Sequence, residues 1–167
     1  EIGSGLVGSE MCIRDRSDGS HTIKLDASDY DGNAAATSST SFKVDTVPPV
    51  LTLSSPTDKL VTNQSACTVK GTTNDATSSP VTVTVKLNSG AAEAVTVGSD
   101  GSFNKALTLA EGTNTIIVVA KDGAGKTTTV TRTVTLNTVA PTIKSVTITP
   151  NPVDCGKTFV ISVEVTN

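Results

Sequence analysis

Aromatic residues are almost absent from the sequence: they make up 2% of its 167 positions, with no Trp, one Tyr and three Phe. A hydrophobic core must therefore be built from the aliphatic residues Val, Ile, Leu and Ala. Because sugars usually stack on aromatic side chains, this scarcity also argues against a dedicated lectin surface. Thr is abundant and repeatedly stands beside Val, a mixture that suits a pleated, half-buried β-surface.

Charge and long apolar runs are scarce as well. Charged residues make up 17% of the chain and the formal net charge is −3. No stretch of basic residues could hold phosphates, so nucleic acid is excluded as a partner. No apolar run approaches the ~20 residues that a membrane-spanning helix requires, so we expect no membrane span.

The three cysteines do not form the pattern of a disulfide framework. Cys12 lies in the N-terminal segment discussed next, while Cys67 and Cys155 fall in different units of an internal repeat. We interpret Cys67 as a small core residue, since unpaired Cys behaves as a small apolar side chain.

The N-terminal residues differ in character from the rest of the chain. Residues 6–16 read LVGSEMCIRDR, hold the only Met and show no strand alternation. This string resembles the translated sequencing-adapter sequence found at the ends of metagenomic reading frames. We expect residues 1–16 to be a non-native tail that packs on nothing, and they are set aside in predicting the fold.

An internal repeat of about 90 residues organises the remainder. Residues 19–29 (GSHTIKLDASD) match residues 112–122 (GTNTIIVVAKD) at an offset of 93, and residues 42–49 (FKVDTVPP) match residues 134–141 (VTLNTVAP) at an offset of 92. Proline fixes φ and lacks a donor, so each Pro-containing junction predicts a short, stiff connection. The chain is thus predicted to hold the C-terminal part of a first module (17–46), a complete module (47–138) and the N-terminal part of a third (139–167).

Within the complete module the hydrophobic period is two, which is typical of β-strands. Val81, Val83 and Val85 alternate with Thr82 and Thr84. One face is likewise shared by Cys67, Val69 and Gly71, by Phe103, Leu107 and Leu109, and by Val130, Val134 and Leu136. Ile116, Val118 and Ala120 form one row, with Ile117 and Val119 on the other side of the strand. About seven short strands separated by Gly- and Asn-containing turns predict an all-β, immunoglobulin-like sandwich.

Several short motifs stand in an order that resembles a known family. They are SPTD (55–58), VTNQS (61–65), VKGT (69–72), DGSF (100–103), EGTNTI (111–116) and AKDGAG (120–125). Together they resemble bacterial Ig-like repeats of the glucodextranase domain-B type. The resemblance implies tandem Ig-like modules of a secreted protein, acting as spacer, stalk or accessory domain, with no catalytic residues to carry over. The opening of the third module, VTITPNP (146–152), resembles a related variety from surface and phage-tail proteins.

One acidic segment suggests a metal site. Asp26, Asp29, Asp31 and Asn33 offer the hard oxygen ligands that Ca²⁺ prefers. Their spacing is not that of an EF-hand loop, and the matching turn at residues 122–126 keeps only one carboxylate. Because Asp, Asn and Gly are also what tight turns require, we expect turn chemistry here, with no metal and no cofactor.

The sequence therefore predicts a non-catalytic structural spacer of a bacterial surface or secreted protein, located outside the cell. Its expected partners are the neighbouring Ig-like modules of the same chain. The alternative is a glycan- or protein-binding accessory module of a carbohydrate-active enzyme, an adhesin or a phage tail protein. No residue is predicted to be catalytic.

Overall fold

A computed structural model describes residues 17–152 and 154–166 of the chain. The prediction that residues 1–16 form a non-native tail falls outside this part of the protein. All regular structure in it is β, in four sheets, which confirms the predicted all-β class. The twelve strands are β1 (Gly19–Leu25), β2 (Ser38–Val44), β3 (Val50–Ser55), β4 (Leu60–Thr62), β5 (Ala66–Asn74), β6 (Thr82–Leu87), β7 (Glu93–Val95), β8 (Ser102–Thr108), β9 (Gly112–Lys121), β10 (Thr127–Leu136), β11 (Thr142–Thr149) and β12 (Val160–Thr166).

Strands β3 to β10 form a two-sheet structure that we call the central sandwich. One sheet has the order β3-β5-β8, and the other has the order β4-β10-β9-β6-β7. All pairings are antiparallel except the short one between β4 and β10. This arrangement of two facing, mostly antiparallel sheets is the predicted Ig-like sandwich.

The core of the sandwich lies between the inner faces of the two sheets. Ile116, Val118 and Ala120 are completely buried along β9, as the predicted alternation requires. Each fully buried Val, Leu or Ile contributes about 1.5–3 kcal/mol relative to an exposed one. The other core residues are Leu51, Leu53, Val69, Val81, Val83, Val85, Phe103, Leu109, Val134 and Leu136.

The edge of this core contains a small residue and a thiol on β5. A Cβ built on Gly71 would lie 2.4 Å from the carbonyl oxygen of Thr52 and 2.7 Å from the Phe103 ring, so only glycine fits at this point between β3 and β8 of the same sheet. Cys67 is a free, half-buried thiol that packs against the core, and burial raises its pKa. It therefore behaves as a small core side chain.

The remaining strands form two separate antiparallel hairpins. In the first hairpin β1 pairs with β2, with Gly19 opposite Val44 at one end, and in the last hairpin β11 pairs with β12. Their apolar residues are largely exposed: Ile23, Leu25, Ile143, Val146, Ile148, Phe159, Val160, Ile161, Val163 and Val165. Such rows are what incomplete sandwiches would present, and the division into modules at 17–46, 47–138 and 139–167 remains a prediction. Over residues 17–152 and 154–166, no helix has the length and hydropathy of a membrane span.

Candidate functional site

The turn that contains Asp29, between β1 and β2, is closed by its own hydrogen bonds. The N–H groups of Asp31 and Asn33 donate to Oδ1 of Asp29 over 3.1 and 2.8 Å, and Nδ2 of Asn33 donates to Oδ2 over 2.8 Å. The side-chain bond from Asn33 is the main reason that the pKa of Asp29 lies below its usual value. Both oxygens of this carboxylate are therefore occupied by the turn.

The other members of this acidic segment are not gathered around Asp29. Asp26 accepts a short hydrogen bond from the Thr37 hydroxyl. Among the residues that the structure describes, Asp26, Asp29 and Asp31 belong to no group of three metal-ligating side chains. The turn has the hydrogen bonds expected of turn chemistry, and the expectation that it binds no calcium stays a prediction.

A different set of carboxylates does come together, where the first hairpin meets the central sandwich. Asp45, Asp75 and Asp122 each follow directly after the last residue of a strand, β2, β5 and β9 respectively. One carboxylate oxygen from each lies within 4.8 Å of the others. We call these three residues the junction triad.

Each triad carboxylate is held in place through its Oδ1 atom by backbone N–H groups of its own loop. Val47 donates to Asp45 over 3.1 Å, and Lys126 donates to Asp122 over 2.8 Å. Thr77 and Ser78 donate to Asp75 over 2.8 and 2.7 Å. These bonds orient the carboxylates and leave their second oxygens available.

The second oxygens of two triad members are buried without a partner. Asp122 is only 5% exposed, and Oδ2 of Asp122 and Oδ2 of Asp45 are buried atoms that accept no hydrogen bond. Buried polar atoms are nearly always hydrogen-bonded, so each exception requires an explanation. The two ion pairs found in the described part of the chain, Lys105–Glu93 and Lys144–Glu164, lie elsewhere.

Nothing in the sequence groups these three residues. Asp45 belongs to the repeated junction motif and Asp122 to a turn, while Asp75 belongs to no motif of the sequence. What the three residues share is that each directly follows a strand, and the final residues of these three strands lie close together in the structure. That placement depends on the pairing of the strands, which the sequence predicts only in outline.

The linker between β2 and β3 is hydrogen-bonded on both sides. The N–H and hydroxyl of Thr46 both donate to Asp18, at the start of the first hairpin, over 3.1 and 3.0 Å. The Thr128 hydroxyl of β10 donates to the Pro49 carbonyl over 2.6 Å. The linker is thus attached to the hairpin before it and to the sandwich after it.

A cleft of about 860 Å³ opens at the side of the central sandwich. Its lining includes Val50, Thr73, Val81, Val95 and Asp100. The Ser102 hydroxyl and N–H hold the pKa of Asp100 below its usual value. No aromatic side chain is among the described residues that line the cleft.

The central sandwich matches a known protein family. Residues 49–138 match the sequence profile of the family described as glucodextranase, domain B. No curated protein sequence is significantly similar to the chain.

Solved structures provide more distant similarities. A tetra-tandem repeat from the extending region of a large adhesion protein is 21% identical, with a TM-score of 0.46 over 88% of this chain and 45% of that one. The fibronectin(III)-like modules of Clostridium thermocellum CbhA are 20% identical, with a TM-score of 0.44 over 73% of this chain and 64% of that one. An endo-beta-1,4-mannanase double mutant of Cellulomonas fimi is 22% identical, with a TM-score of 0.38 over 52% of this chain and 18% of that one.

Proposed function

Because the chain belongs to the glucodextranase domain B family, a type of bacterial Ig-like accessory module, we propose that it is a non-catalytic spacer in a longer extracellular protein. In this role the central sandwich sets the distance and orientation between the modules on either side of it. The parent protein would be secreted or displayed on a bacterial surface. The neighbouring Ig-like modules would be its direct partners.

The observation that carries this proposal is the two-sided attachment of the linker. Thr46 is bonded to Asp18 of the preceding hairpin, and the carbonyl of Pro49 is bonded to Thr128 of the following sandwich. Pro48 and Pro49 also restrict φ between these two anchor points. A linker that is fixed at both ends and stiff between them favours one relative orientation of its neighbours.

The attachment to the preceding module recurs at the end of the central sandwich. The N–H and hydroxyl of Thr138 donate to Glu111, as those of Thr46 donate to Asp18. Val139 donates to Asn137 over 3.1 Å, as Val47 donates to Asp45. The recurrence of these bonds at both junctions supports an array whose modules are joined in a regular way.

Pulsed electron spin resonance would test the spacer role. Spin labels on Lys24→Cys in β1 and Lys70→Cys in β5 would report the distance across the linker, in a chain with Cys12, Cys67 and Cys155 replaced. We expect one narrow distance distribution, and a broad one after the substitution of both Pro48 and Pro49 by Gly. A distribution that is equally broad with and without the two prolines would contradict a spacer.

The cleft beside β6 and β7 favours a second candidate, a glycan- or protein-binding accessory module. Its valine walls and Asp100 could contact a ligand, although it offers no aromatic surface for a sugar. Calorimetric titration with soluble bacterial and plant oligosaccharides would test it. Submicromolar binding that is lost in Val95→Asp would place this function above the spacer, and an absence of binding would leave the spacer as the better account.

A further inference from the structure

We propose that the junction triad of Asp45, Asp75 and Asp122 binds one calcium ion. Carboxylates are hard oxygen ligands, the class preferred by Ca²⁺ and Mg²⁺ rather than by zinc or copper. Ca²⁺ binds oxygens at about 2.3–2.6 Å, so two of its ligands can be at most about 5 Å apart. The triad oxygens lie within 4.8 Å of one another and therefore fit around a single ion.

The unpartnered oxygens support the same conclusion independently. Asp122 is only 5% exposed, and its Oδ2 atom is buried and accepts no hydrogen bond. Oδ2 of Asp45 is also a buried atom without a partner, although the residue as a whole is only partly buried. An unpaired carboxylate is unfavourable away from water, and three of them in close proximity repel one another. A divalent cation would offset both effects.

The internal repeat supplies a comparison for Asp122. The matching residue in the first hairpin is Asp29, and the residue four positions later is Asn33 in one turn and Lys126 in the other. Asn33 donates its amide to Oδ2 of Asp29, whereas Lys126 provides only its backbone N–H to Oδ1 of Asp122. The turn of Asp122 thus lacks the side-chain donor that binds the second carboxylate oxygen in the turn of Asp29.

The source of the three ligands favours calcium over magnesium. They come from three separate segments, the linker after β2 and the loops after β5 and β9. Mg²⁺ demands near-ideal octahedral geometry and retains its waters, whereas Ca²⁺ accepts an irregular set of six to eight oxygens. Two of these segments belong to the central sandwich and the third leads out of the first hairpin, so the ion would hold the linker against the sandwich. This mechanical role rests on the proposed spacer function, while the site itself does not.

Calorimetry and thermal unfolding of the whole chain would test the site. After removal of metal with EDTA and of EDTA by dialysis, titration with CaCl₂ should reveal one ion per chain. Saturating calcium should raise the unfolding midpoint by several degrees, because a ligand that binds only the native state stabilises it. Asp122→Asn should weaken calcium binding roughly tenfold or more, since it removes a charged ligand.

Two further variants make the result specific. Asp45→Asn should also lose affinity while folding normally, since Asn137 makes the equivalent hydrogen bond at the next junction. Asp29→Asn changes the matching carboxylate outside the triad and should leave calcium binding unchanged. In metal-free buffer, both triad variants should be at least as stable as the unsubstituted chain, because charge repulsion is reduced.

Several results would overturn the proposal. The first is that calcium produces neither binding heat nor a rise of the unfolding midpoint in the unsubstituted chain. The second is that the calcium-dependent rise of the midpoint persists in both triad variants. The third is that NaCl of the same ionic strength raises the midpoint equally. Tighter binding of Mg²⁺ than of Ca²⁺ would contradict the assignment to calcium. These readouts do not depend on the distance measurement: a broad distance distribution with calcium bound would contradict the spacer role alone.

Discussion

Nδ2 of Asn88 donates a hydrogen bond over 3.0 Å to Oδ1 of Asn114, whose side chain is completely buried. The Ala110 N–H donates to the same oxygen, and Nδ2 of Asn114 donates to the carbonyls of Ala110 and Gly112. All four hydrogen-bonding positions of the Asn114 amide are thus used. Asn114 therefore joins the start of β9 to the turn that precedes it, at Ala110, and to the turn after β6, at Asn88.

Removing this amide should destabilise the central sandwich. In Asn114→Ala, buried donors and acceptors lose their partners, and each such group costs about 1–3 kcal/mol. We therefore expect the free energy of unfolding to fall by about 3 kcal/mol in urea denaturation. Thr113→Ala, on the exposed neighbour, should stay within about 0.5 kcal/mol of the parent. Equal effects of the two substitutions would show that the network does not stabilise the fold.

A methyl group on Gly71 should disturb the packing of β3 and β8 on either side of β5. Its Cβ would lie 2.4 Å from backbone oxygen of Thr52, which cannot move without displacing β3. Gly71→Ala should lower the free energy of unfolding by about 1–3 kcal/mol, the usual range for overpacking. Thr68→Ala, an exposed position on the same strand, is the control in the same urea series. If Gly71→Ala left the free energy of unfolding unchanged, β3 and β5 would have to be less closely paired than in this structure.

Asp58 should make the stability depend on pH in the acidic range. The Thr133 N–H donates to Asp58 over 2.9 Å and lowers the pKa of this carboxyl below its usual value. Because the folded pKa is below the unfolded one, this contribution is complete above about pH 4 and is lost as the pH falls through the folded pKa. Asp58→Asn should therefore flatten the decline of unfolding free energy below about pH 4. Parallel declines in the two proteins would contradict this role of Asp58.

The sequence predicts the periodic part of this fold and misses the parts that depend on contacts between distant segments. Alternation with Thr82 and Thr84 places the valines of residues 81–85 in the core, since a strand has only two faces. Asn114, near the start of β9, faces the same core, and its burial depends on Asn88, 26 positions away. In the same way, the junction triad exists only because the ends of β2, β5 and β9 lie together. The acidic residues that are clustered in the sequence, around Asp29, instead satisfy their own turn.

Residues 47–138 are expected to form one autonomous module within an array, and urea denaturation of three separate fragments tests this expectation most directly. Fragment 47–138 contains all of the core residues of the sandwich, so we expect a single cooperative transition. Fragments 17–46 and 139–167 each supply one hairpin with exposed apolar rows, and an isolated hairpin is marginal in water. We expect no cooperative transition in either. A transition in fragment 17–46 or 139–167, or none in fragment 47–138, would contradict the modular account.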